Sequence, residues 1–143
     1  MNTKLHSTRT SKRSAFSLVE LVVVVLIIGI LAAVAAPKMF DTAGDARDSA
    51  TRASLAVLRD AVELHKAQNG TYPAASKIDV VLRPFLKGPF PRVQATSVPS
   101  ANQTATVAVS TADPLVPVAG NAGWVYNETS GNIAVNHASC IDW

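Results

Sequence analysis

Hydrophobic and polar positions follow three regimes along this chain. Residues 1–15 are polar, with four bases (Lys4, Arg9, Lys12, Arg13) and no acid. Residues 16–36 form a 21-residue apolar run broken by a single charged side chain, Glu20. At about 1.5 Å per residue, a helix of that length crosses a hydrocarbon core of about 30 Å. Val22 to Val25 are β-branched and would suit a strand in water, but a lone segment in lipid must close its backbone hydrogen bonds internally. The pattern therefore predicts a transmembrane helix. Bases before it and none within it orient its N-terminus toward the cytoplasm. Glu20 is costly in such a segment and calls for a compensating partner.

The third regime, residues 45–69, has a period near 3.6. Ala50, Ala53, Val57, Leu58, Ala61, Val62 and Leu64 fall on one broad face. Asp48, Arg52, Arg59, Glu63 and Lys66 lie opposite, with Asp48–Arg52 and Arg59–Glu63 spaced as i,i+4 pairs. Pro37 lacks a helix donor and predicts a kink. Asn69-Gly70 followed by Pro73 predicts the helix end, since glycine reaches left-handed dihedrals cheaply and proline blocks a restart.

Periodicity fades after that. Residues 78–86 read as a short helical turn or loop, and Lys87-Gly88-Pro89-Phe90-Pro91 as an ordered crossing loop. Thr104 to Val109 alternates as a strand does. Gly123-Trp124-Val125-Tyr126-Asn127 and Asn132-Ile133-Ala134-Val135-Asn136 flank a polar turn ending in Gly131, which predicts a hairpin packed on the 50–64 helix face. The expected fold is α+β: a long N-terminal helix, its first half transmembrane, its second half packed on a small antiparallel sheet. The expected divisions are a leader at 1–15, the membrane helix at 16–36 and an exported domain at 37–143. Within the domain the helix runs to about 69, a loop covers 70–92 and a β-region covers 93–143.

Charge changes the picture only after the leader is set aside. The whole chain carries a net charge of +3, but the leader holds four of the thirteen bases and none of the ten acids. Residues 16–143 are nearly neutral, so the basicity is a topology signal and no nucleic-acid partner is expected. Cys140 is the single cysteine, which excludes an internal disulfide; it reads as a small, partly buried hydrophobe, with an intermolecular bridge as the alternative. His6, His65 and His137 have no metal-binding spacing. No phosphate loop, nucleophile elbow or paired carboxylates mark an enzyme.

The string Phe16-Ser17-Leu18-Val19-Glu20, after a basic leader and before an apolar run, resembles the class III signal of type IV pilins and type II secretion pseudopilins. The stretch from Leu58 to Pro73, with its Asn69-Gly70 stop and Tyr72-Pro73 pair, is similar to the helix end of general-secretion pseudopilins. The Gly123–Asn127 hairpin strand resembles one near the end of many pseudopilin-like proteins. The resemblance implies removal of the leader by a prepilin peptidase between Ala15 and Phe16, where the family favours glycine at the position of Ala15. It implies N-methylation of Phe16 and continuation of the helix past Pro37. It further implies that Glu20 of an incoming subunit pairs with the Phe16 amine of a neighbour, an attraction that low dielectric strengthens.

The resemblance thus implies a structural subunit of a type II secretion pseudopilus or type IV pilus, not an enzyme. It would sit in the inner membrane with its C-terminal domain periplasmic before joining a periplasmic or cell-surface filament. Its partners would be copies of itself, other pilins or pseudopilins, the prepilin peptidase, an assembly platform with its ATPase, and membrane lipid. No cofactor is expected. Some major pseudopilins hold calcium in a C-terminal acidic loop, and here Asp113 and Asp142 are the sparse candidates. The alternative is a monomeric binding or adhesion domain on a simple membrane anchor. A cleavable secretory signal fits less well, because the apolar run exceeds the usual ~7–15 residues and carries an acid.

Overall fold

The computed structural model describes residues 16–143, and its helix α1 runs Leu18–Asn69. The contacts divide the chain at Met39/Phe40 into two compact units. In the first unit every described residue is exposed, including Leu18, Val22, Ile27 and Leu31. This part of α1 is long and apolar enough to cross a membrane. Among the described residues of this unit its valines have no second strand, and the helix satisfies their backbone groups internally.

The second unit, residues 40–143, contains the remainder of α1, the four-residue helix α2 (Ile78–Val81) and three 3-10 turns. Its three strands are β1 (Val107–Val109), β2 (Trp124–Tyr126) and β3 (Ile133–Val135), in the order β1-β2-β3. β2 and β3 form the expected antiparallel hairpin, with Trp124 opposite Val135 and Tyr126 opposite Ile133. β1 departs from the expected antiparallel sheet: it pairs with β2 in parallel, Val107 beside Trp124 and Val109 beside Tyr126, so the sheet is mixed. The 14 residues between β1 and β2 explain this. They exceed a hairpin loop and give the dozen or so residues that a parallel return needs. Here the return is irregular, held by Asn136, whose Nδ2 donates to the carbonyls of Val118 and Ala122.

The core lies between α1 and the sheet. Leu55, Leu58, Ala61 and Val62 from the helix cluster with Trp124, Tyr126, Ile133 and Val135. Val93, Ala95, Ile78, Leu82 and Cys140 close its sides. Val125 and Ala134 are equally buried but lie outside that cluster, on the sheet face toward the 110–122 return. Both faces of the hairpin are therefore covered, and its strands show no alternation of burial.

The inward stripe of α1 is narrower than its apolar pattern suggested and is shifted. Thr51, Leu55, Leu58 and Val62 point inward, whereas Ala50, Ala53, Val57 and Leu64 are exposed. A helix against one thin layer can bury only part of its circumference. Thr51 takes an inward place because its hydroxyl accepts from the Gln94 amide at 3.0 Å and donates to the Arg47 carbonyl.

Candidate functional site

Phe16 lies ahead of α1 and is 76% exposed. The helix backbone closes from Ser17, whose carbonyl accepts from Leu21 at 3.2 Å. Glu20 sits in the first turn, where a carboxylate faces the positive end of the helix dipole. It is exposed, as are the apolar side chains around it. Ala15 and the rest of the leader lie outside the described residues. Phe16 and Glu20 are thus brought to the same end of one helix, four positions apart. Within the chain that spacing leaves the Glu20 carboxylate exposed. Pro37 lies inside α1, which continues past it as a helix.

Five charged residues on the polar face of α1 make contacts with other parts of the second unit. Asp48 Oδ1 accepts from the amide and the hydroxyl of Thr96, at 2.7 and 2.9 Å. Arg59 donates to the carbonyls of Ile133 and Trp143. The Arg52 guanidinium stacks 4.2 Å over the Trp143 ring. Glu63 accepts from the Tyr72 hydroxyl, and Lys66 lies 4.0 Å over the same ring. These residues fasten the C-terminal segment and the helix exit to α1.

Tyr72 and Pro73 have a definite structural role. Gly70 adopts φ 77°, and its amide returns to the Lys66 carbonyl at 2.7 Å, which ends α1. The chain then carries the Tyr72 ring onto Gly131 in the hairpin turn, where φ is 76° and an added Cβ would strike that ring. The Pro73 carbonyl accepts from the buried Tyr126 hydroxyl at 3.0 Å. Burial pushes the Tyr126 phenol up from its ordinary range, with the Glu128 charge as a smaller cause.

Three concavities mark the second unit. One of about 370 Å3 is lined by Arg59, Glu63, Asp113, Asn132, Ile141 and Asp142. The two calcium candidates, Asp113 and Asp142, share it. Among the described residues, however, no three His, Cys, Asp or Glu side chains are grouped to hold a metal ion. A second, of about 260 Å3, lies between α1 at Ala53 and Val57 and the 86–91 segment. The sequence reading missed this groove, because Ala53 and Val57 were assigned to the core. Pro89, exposed, and Pro91, half-buried, lying beside two helical apolar positions in the fold, are the available signal. The third, of about 440 Å3, borders β1, where Val107 and Val109 meet Ile78 and Phe90. Cys140 is buried, with its Sγ 3.0 Å from the Ser97 hydroxyl. The His65 Nδ1 donates to the Thr71 carbonyl at the helix exit.

A family model for the prokaryotic N-terminal methylation motif matches residues 10–36. The matched span takes in the Ala15/Phe16 junction, Glu20 and the apolar run, and stops short of Pro37. No curated protein and no solved structure gives a match to the chain. The motif, together with a long apolar helix leading into an α+β domain, supports a type IV pilin-like or pseudopilin-like protein.

Proposed function

We propose that this chain is a structural subunit of a secretion pseudopilus or type IV pilus and has no enzymatic activity. The observation that carries the proposal is the methylation motif at residues 10–36, because it joins a basic leader, the Phe16 junction and Glu20 in one segment. Cutting between Ala15 and Phe16 creates an ammonium at the edge of an apolar helix, and methylation leaves its charge in place. Glu20 of an incoming subunit takes that charge as its counter-ion. The pairing sets the axial register of helices whose remaining side chains there are non-directional. Either charge left alone in lipid is strongly unfavourable, so the pair selects correctly seated subunits.

The reading continues as follows. The chain rests in the inner membrane with its C-terminal domain on the periplasmic side. A prepilin peptidase processes it, and an assembly platform with its ATPase lifts it into the filament. The similarity of Asn69-Gly70-Thr71-Tyr72-Pro73 and of the Gly123–Asn127 strand to those of general-secretion pseudopilins favours the secretion pseudopilus.

Mass spectrometry of the protein isolated from its native host tests this. The expected product begins at a methylated Phe16. A chain that keeps Met1 and its leader overturns the reading in favour of a monomeric domain on a plain anchor.

A further inference from the structure

The charges of the second unit are segregated along the sequence. Residues 93–143 contain three acids (Asp113, Glu128, Asp142) and no lysine or arginine. Residues 70–92 contain four bases (Lys77, Arg83, Lys87, Arg92) and one acid, Asp79, and all five side chains are exposed. The apolar groove of about 260 Å3 lies between this basic part and α1. Ala53, Val57, Leu86, Pro89 and Pro91 line it together with Lys87. Val57 is 50% exposed there.

The acidic part carries an exposed apolar segment. Pro114, Val116 and Pro117 are exposed in the return between β1 and β2, with Val116 at 51%. Asp113 adjoins them, its Oδ1 held by the Asn132 side chain at 3.1 Å. An apolar knob beside an acid thus complements an apolar groove beside a base.

We infer that the groove at Val57 and Leu86–Pro91 receives the 114–117 loop of a second copy of this chain, with Asp113 facing Lys87. This rests on the filament reading and deepens it by naming the surfaces that meet between exported domains. Groove and knob are different patches, so the contact is heterologous and propagates head to tail without closing on itself. The groove is small, as suits a weak contact repeated along an assembly whose main cohesion lies elsewhere. The charges steer the approach and reject the reversed pairing.

Cysteine crosslinking in the full-length chain, expressed in its native host, tests the contact. Gly88→Cys lies at the groove in open space, and Val116→Cys lies on the knob. A chain carrying both is expected to give a ladder of covalent multiples under mild oxidation. Chains carrying one, and the unaltered chain with its buried Cys140, are expected to give none. Lys87→Glu added to the double variant is expected to lower ladder yield about fivefold, the effect of a lost attraction of ordinary size. A second pair, Pro89→Cys in the groove lining with Pro117→Cys, guards against a folding defect in the first and keeps Lys87 in place.

Dimers from a single-cysteine chain overturn the inference in favour of a symmetric contact. Bands of mixed mass overturn it in favour of a different partner protein. Filaments without a ladder from either pair overturn this contact and leave the filament reading standing. Absence of filaments from the unaltered chain removes the filament reading and this contact together.

Discussion

Residues 16–39 and residues 40–143 solve opposite problems with the same kind of helix. In the first, every side chain is exposed and nearly all are apolar, so no other described residue covers them. In the second, Leu58, Trp124, Tyr126 and Val135 are fully buried, and the charged positions of α1 fasten loops to it. The first region leaves its apolar side chains open to their surroundings. The second takes its stability from its own core. The carboxylates differ accordingly: Asp48 holds Thr96 within the domain, whereas Glu20 is exposed among apolar side chains, and its pairing with a neighbouring subunit is what the proposed function requires.

The largest effect should come from removing that outside partnership. Glu20→Leu is expected to abolish recovery in sheared filaments while membrane insertion and the thermal unfolding of the exported domain stay unchanged. A buried pair stripped of one member loses about 3–5 kcal/mol. Immunoblots of sheared and membrane fractions read the two halves of this prediction, and normal assembly of the variant would break the contrast between the regions.

Leu58→Ala should do the reverse. It empties a site that is 0% exposed, so unfolding is expected to lose about 2–5 kcal/mol with processing at Phe16 unaffected. Denaturant melts of the detergent-solubilised chain measure it. Gly131→Ala comes next, at about 1–3 kcal/mol, because it strains a positive φ and strikes the Tyr72 ring. Tyr72→Ala placed behind it should recover the part due to the ring but not the part due to φ.

The smallest effect concerns pH. The Tyr126 phenol is raised by burial above its ordinary value of 10.0. As pH climbs past that value, the unfolded chain releases the proton while the folded chain keeps it. The stabilisation is therefore complete below pH 10 and declines above it. Melts in alkaline buffers should show this decline in the native chain and a shallower one in Tyr126→Phe.

The sequence disclosed the features that local chemistry dictates. The apolar run with its basic flank, the helix stop at Asn69-Gly70 and the hairpin around Gly131 each rest on a few adjacent residues. What it hid depends on distant residues. Leu55 lies on the inward stripe, yet Ala50, Ala53 and Val57 drew attention by periodicity alone. Thr51 is buried because Gln94, far along the chain, needs an acceptor. The parallel setting of β1 follows from a long irregular return whose anchor, Asn136, carries no visible signal. At the candidate site, Glu20 stands out as the lone acid of the apolar run, whereas Phe16 is singled out only by the resemblance. The groove at Val57 was not, because an exposed valine and a buried one look the same in a periodic pattern.

The link between α1 and the 93–98 segment has a mechanical consequence. Thr51 holds Gln94 and Asp48 holds Thr96, so the two strips of chain run past each other in opposite directions with a tie at each of two successive turns. A tug along the helix axis stretches both ties at the same moment instead of peeling them one after another. Such a joint resists sliding far better than prying, which is the loading a shaft meets when it is driven lengthwise.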